Sequence, residues 1–302
     1  MKTIIHIGGN KTASTLLQRR LFSKHKSLLY LGEDCHLYGE YNPILDALVS
    51  SDDSCFDESK ARKIFDSRFA NIDEDKTCIF SNEDIMTSQF PSVGAARLAS
   101  FAPNADVVMV IRNQLTVWPS WYANHGAYLK NVPQRYWRRH VSFSEWLEYC
   151  FMFPAITPVE AMNYHRFYRI FKKAYPKSKI HVLLYEELIE NPLGYYSKWA
   201  EILNISIEEI LMLLEGFSER SRNSQRKVLY DRWMDKLPFG NRLTELALNV
   251  MPFFPKWLNQ GPPAVLDLPV GWAEKIKEQY QDGNATLARI TDIDLKKYGY
   301  PV

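Results

Sequence analysis

Five short apolar runs mark the chain up to Leu184: Thr3–Ile7, Leu28–Leu31, Cys78–Phe80, Val107–Ile111 and Ile180–Leu184. They are too short for buried helices and lack the apolar–polar alternation of half-exposed strands, so they read as parallel strands covered on both faces. Between and after them, apolar residues recur at helical spacing over Thr12–Phe22, Glu58–Phe69, Phe143–Phe151, Ala161–Ala174, Tyr195–Leu203 and Glu208–Glu215. This alternation predicts an α/β fold with a central, mostly parallel sheet flanked by helices. No convincing strand follows Leu184, and Pro/Gly clusters punctuate 237–240 and 261–263. The expectation is a single domain over 1–302, with an α/β core at 1–190 and a mainly helical extension at 191–302.

Composition narrows the function. The 302 residues are 46% hydrophobic and 24% charged, within the globular range. Lys+Arg total 37 against 35 Asp+Glu, a net charge of +2, which lacks the field expected of a nucleic-acid binder. Any anion site is therefore local. The four cysteines form no C-x-x-C pair and have no close partner histidines, so neither zinc nor a disulfide framework is indicated. The N-terminal apolar run is too brief for a signal-peptide core, and no stretch is long enough to span a membrane. A reducing, cytoplasmic setting is expected.

The first apolar run leads into Gly8-Gly9-Asn10-Lys11-Thr12-Ala13-Ser14-Thr15. A strand, a glycine turn and a helix start rich in hydroxyls make an anion cradle: backbone N–H groups turn inward and Lys11 adds a full positive charge. Phosphate or sulfate fits there. The plainer alternative is a capped strand-to-helix turn with Lys11 in solvent. The run is not a Walker A loop, because Asn10 stands where a glycine must precede the lysine.

A second anion element follows Val107–Ile111, where the strand runs into Arg112-Asn113 and then Pro119-Ser120. Proline belongs in a helix's first turn, so the helix is expected to begin near Thr116, with Arg112 and Ser120 flanking its N-terminus. Taken alone, Arg112 is equally an ordinary arginine at a strand end.

Lys11-Thr-Ala-Ser-Thr15 resembles the 5′-phosphosulfate loop of the sulfotransferases that use 3′-phosphoadenosine 5′-phosphosulfate (PAPS), with Ala13 in place of the usual glycine. Arg112 and Ser120, eight positions apart, resemble the same family's 3′-phosphate motif, with Gln114 in place of its usual proline. Ala13 is harmless within a helix start and strained at a positive φ; the former is expected. His181–Leu188 resembles the family strand that ends in Tyr-Glu-[Asp/Glu]-Leu, which makes Tyr185 a candidate adenine contact or else a tyrosine at the core edge. The tail, from Asp282 to Tyr298-Gly-Tyr-Pro301, is similar to that of bacterial members acting on saccharides or related acceptors. The family's basic loop over the 3′-phosphate has its positional counterpart at Arg220–Lys227, which nominates Arg222 and Arg226; a solvated, capped helix start is the alternative.

The resemblance implies a P-loop-like three-layer fold, PAPS as co-substrate, no metal, and a glycan or small-molecule acceptor. It implies a donor site of Gly9, Asn10, Lys11, Thr12, Ala13, Ser14, Thr15, Arg112, Ser120 and Tyr185, with Lys11 also catalytic. An acceptor hydroxyl needs a base. Glu83, in Ser81-Asn-Glu-Asp84 behind the third strand, matches the glutamate of saccharide-modifying relatives; His125 is the competing candidate. His6 is expected to be a satisfied interior residue. Aromatic and basic residues from Trp118 and Tyr122 to Arg139 form either a wall for an anionic glycan or part of the core. Two other readings stay open: a P-loop kinase, with Asp84 for Mg²⁺, and a non-catalytic nucleotide-binding module.

Overall fold

The computed structural model describes residues 2–9, 11–32, 52–69, 75–123, 141–215, 224–235, 237, 243, 250–251, 253–262 and 264–302. All five apolar runs are strands: β1 (Lys2–Gly8), β2 (Leu28–Gly32), β3 (Thr77–Ser81), β4 (Asp106–Ile111) and β5 (Ile180–Leu184). They form one parallel sheet in the order β2-β3-β1-β4-β5. β1 is central, and the chain crosses it between β3 and β4. The carboxyl ends of β1, β3 and β4 therefore meet where the winding reverses, which is where open α/β sheets form ligand crevices.

The principal helices are α1 (Ser14–Leu16, continued by wider π-helical turns over Leu17–Phe22), α2 (Glu58–Phe69), α3 (Asp84–Thr87), α4 (Pro91–Phe101), α5 (Gln114–Trp121) and α6 (Phe143–Met152). After these come α7 (Tyr164–Ala174), α8 (Tyr185–Glu190), α9 (Pro192–Leu203), α10 (Ile207–Leu214), α11 (Gln225–Asp235), α12 (Phe254–Leu258) and α13 (Trp272–Thr291). Among the described residues no strand follows Leu184. The chain divides into two compact units: Met1–Asn113, Glu160–Phe217 and Tyr280–Val302 form one, and Gln114–Val159 with Ser218–Gln279 the other.

The first unit holds the sheet. Strand residues alternate between its faces. Ile4, Ile79, Val108, Val110 and Leu183 pack against Leu17, Leu21 and Phe22 and against Tyr195, Trp199 and Leu203 of α9. Ile5, Ile7, Phe80, Val107, Met109 and Ile111 occupy the opposite positions and are also buried, with α4 and α7 packed together on that side. Burial of each side chain of this size contributes roughly 1.5–3 kcal/mol, so both faces of the sheet must be covered. The three-layer expectation is met.

The second unit is helical. A reciprocal capping box starts α6: Ser142 Oγ accepts from Glu145 N, and the Glu145 carboxylate accepts from Ser142 N. Its core is aromatic. Trp118 stands edge-on to Trp146 at 5.4 Å, and Tyr122 stacks on Phe143 at 4.5 Å. Trp118 and Tyr122 are thus core residues; the rest of the proposed glycan wall, Tyr128 to Arg139, lies outside the described residues.

One boundary is corrected. α5 begins at Gln114 rather than near Thr116, so Pro119 lies inside the helix. An interior proline removes one backbone hydrogen bond and costs about 3 kcal/mol in an isolated helix. Here Val117, Trp118 and Trp121 are buried on the same helix, and that packing outweighs the local preference.

Candidate active site

The glycine turn behind β1 is pinned to its neighbour strand. Gly9 N donates to Val110 O at 3.1 Å. Thr12 Oγ1 donates to Gly9 O at 2.5 Å and lies 3.0 Å from Ser14 Oγ, closing the loop on itself. A Cβ on Gly8 would collide with Ser14 Oγ and meet the His6 ring at 2.9 Å, so only glycine lets the loop pack this closely over β1. Lys11 and Ala13 both adopt left-handed backbone, with φ of 69° and 64°. Ala13 is the N-cap of α1 and offers no side-chain cap. This overturns the expectation of a harmless helical alanine: the chain takes the strained conformation because its tight turn must reverse before Ser14.

Arg112 leaves the end of β4 and is buried. Its Nη1 donates to Lys11 O at 2.9 Å, and its guanidinium lies over the Tyr185 ring, 4.4 Å from the centroid. The loop, the arginine and the tyrosine, chosen from three separate motifs, therefore meet in one unit. A buried guanidinium needs acceptors and counter-charge, and a carbonyl with a π face supplies part of both.

Glu83 follows β3. Thr15 Oγ1 donates to its Oε1 at 3.5 Å, so the candidate base stands beside the loop. Capping of the following turn falls to Asn82, whose Oδ1 accepts from Asp84 N at 2.7 Å; Glu83 makes no side-chain cap bond. Ser120 lies in the helical unit, buried, with no hydrogen-bond partner for its hydroxyl. Arg226, in the same unit, donates to Trp257 O at 2.9 Å and lies over the Trp257 ring. Ser224 caps its helix by accepting from Lys227 N at 3.1 Å. Asn10, His125 and Arg222 lie outside the described residues.

His6 is only half satisfied. Its Nδ1 is 2.7 Å from Ser81 Oγ, while its buried Nε2 has no partner, and burial holds its pKa down at about 3. Gln18 Nε2 also donates to Ser81 Oγ, at 3.0 Å. The sequence did not single out this buried Gln18–Ser81–His6 link beside the loop; its signal was a polar side chain at an inward position of each element. Among the described residues, no group of three or more His, Cys, Asp and Glu is placed to hold a metal ion, and no helix is long and apolar enough to cross a membrane.

The model of the sulfotransferase domain matches residues 82–239, just over half of the chain. The chain belongs to the sulfotransferase family. It is accordingly a PAPS-dependent sulfotransferase, an enzyme of sulfuryl transfer, which decides against the kinase and the non-catalytic readings. No curated protein matches the sequence. Among solved structures, a sulfotransferase from Alicyclobacillus acidocaldarius is 14% identical, with 78% of this chain and 90% of that chain covered and a TM-score of 0.45. A mouse sulfotransferase complexed with PAP is 10% identical, covering 72% of this chain and 63% of that one, also at 0.45. The sulfotransferase domain from the curacin biosynthetic pathway is 16% identical, covering 72% and 79%, again at 0.45.

Proposed function

We propose that this sulfotransferase binds PAPS between the 9–15 loop and Arg112, and that its acceptor is a hydroxyl or amine of a carbohydrate-like or small molecule. The observation that carries the reading is the Arg112 Nη1 bond to Lys11 O with Tyr185 beneath the guanidinium. It brings the candidate contacts for the 5′-phosphosulfate, the 3′-phosphate and the adenine into one place. The residues fit the donor: Gly8 lets Ser14 and the loop pack closely over β1, and Lys11 and Arg112 supply positive charge for its anionic groups.

PAPS supplies an activated sulfuryl group whose leaving group is the 5′-phosphate. Lys11 and the loop's N–H and hydroxyl groups stabilise the charge that collects on the phosphate oxygen as its bond to sulfur breaks. Glu83 takes the acceptor's proton as the new bond to sulfur forms, and Thr15 orients its carboxylate. The free thiols of Cys55, Cys78 and Cys150 support a cytoplasmic setting.

The test is transfer of labelled sulfate from PAPS to an acceptor library, with thermal shifts in adenosine 3′,5′-bisphosphate and in AMP. The bisphosphate should stabilise the protein far more than AMP at equal concentration, and Lys11→Ala should lower turnover by about 10²-fold or more. Equal shifts from the two nucleotides would remove Arg112 from the site.

A further inference from the structure

Beyond the end of β4, Arg112 is held by Tyr164, and Asn113 by Glu186 and the C-terminal tail. The β4–β5 ladder ends at Ile111 opposite Leu184, so the backbone of Arg112 and Asn113 must find partners elsewhere. Tyr164 OH donates to Arg112 O at 2.6 Å. Asn113 N donates to Glu186 Oε1 at 3.0 Å, and Tyr300 OH donates to the other oxygen, Oε2, at 2.8 Å. Asn113 Nδ2 donates to Tyr298 O at 3.0 Å, and Asn284 Nδ2 to Pro301 O at 2.8 Å. Arg112, Asn113, Tyr164, Asn284 and Tyr300 are all less than 5% exposed. Between the two tail tyrosines, Gly299 takes φ +70°, and a Cβ there would stand 3.4 Å from Asn113 Nδ2.

We infer that Glu186 and Tyr300 are positioning residues that aim Arg112 at the donor's 3′-phosphate, so that the last turn of the chain sets the preference for a 3′-phosphorylated nucleotide. The inference rests on the reading of Arg112 as a 3′-phosphate ligand. The Glu186 carboxylate is what joins strand to tail: one oxygen fixes the backbone just past Arg112, and the other is fixed by Tyr300. Both hydrogen bonds are part-buried and charge-assisted, and charge-assisted bonds are about twice as strong as neutral ones. Removing the tyrosine hydroxyl frees one side of the carboxylate and lets the Arg112–Asn113 turn drift; the 9–15 loop loses at most its bond from Arg112 to Lys11 O and keeps its bonds to Val110 and within itself.

The experiment compares the affinities of full-length Tyr300→Phe, Glu186→Gln and Arg112→Ala for adenosine 3′,5′-bisphosphate and for AMP, with kcat and donor KM alongside. Tyr300→Phe should weaken the bisphosphate about ten-fold, the equivalent of one charge-assisted bond. AMP affinity and kcat at saturating donor should change little. Glu186→Gln, nearly isosteric, should show the same selective loss and serves if Tyr300→Phe does not fold. If Arg112→Ala erases the bisphosphate preference while both other variants retain it, the positioning role is wrong and the site reading stands. If Arg112→Ala keeps the preference, the site reading fails and takes the inference with it. Equal weakening of both nucleotides by Tyr300→Phe and Glu186→Gln also overturns the inference, because a merely structural tail would act without regard to the 3′-phosphate.

Discussion

At Ala13 a φ of 64° brings the methyl group against the following backbone, a clash that glycine escapes and that costs an L-residue roughly 1–2 kcal/mol. Glycine also gains freedom in the unfolded chain, which offsets part of the relief. Ala13→Gly should therefore stabilise the protein by roughly 0.5–1 kcal/mol, read as a higher urea midpoint at unchanged m value; a lower midpoint would show that methyl contacts outweigh the strain. Lys11, Thr12, Ser14 and Thr15 were legible as a candidate anion loop because their side chains are the kind that bind anions. The backbone at Ala13 was not, since a methyl group announces neither a left-handed turn nor a helix. Glu186 and Tyr300 lie in stretches that resemble the family, but their pairing was silent, because a partner more than a hundred positions away leaves no local mark.

Two rungs join the end of β3 to the start of α1 and its continuation: Gln18 Nε2 to Ser81 Oγ at 3.0 Å, and Thr15 Oγ1 to Glu83 Oε1 at 3.5 Å. Together they set the distance between the candidate base and the loop. Gln18→Leu removes the inner rung but leaves Ser81 its His6 partner at 2.7 Å, so the fold should survive with a small loss of stability. The expected result is a drop of about ten-fold in kcat with little change in donor KM, since misplacing a reacting group lowers turnover more than binding. A rise in donor KM at constant kcat would assign the rung to the donor loop instead. The five strands were readable because parallel strands buried on both faces must be continuously apolar. Helix starts were read less well: α5 begins two residues before Thr116 because burial of Val117, Trp118 and Trp121 overrides the rule that places proline in the first turn.

Across the whole molecule, stability should follow pH through one buried imidazole. His6 is fully buried between Phe22 and Trp199, with ring centroids 5.6 and 5.4 Å away, and burial lowers its pKa from 6.5 to about 3. The unfolded chain therefore binds a proton near pH 6.5 that the folded chain refuses until about pH 3. Stability rises with pH across that window, is complete above 6.5, and falls as acid is added, by at most about 1.4 kcal/mol per pH unit from this residue. His165 and His181 are also held below their ordinary values, by burial first, and act with the same sign. Subtraction isolates His6: in His6→Gln, which keeps an amide for Ser81, the curve of unfolding free energy against pH should be flatter between pH 5 and 6 by nearly the full single-proton slope. Parallel curves for the two proteins would mean that the imidazole is protonated in the folded state. Its buried Nε2 would then carry a charge with no hydrogen-bond partner, which the desolvation penalty opposes.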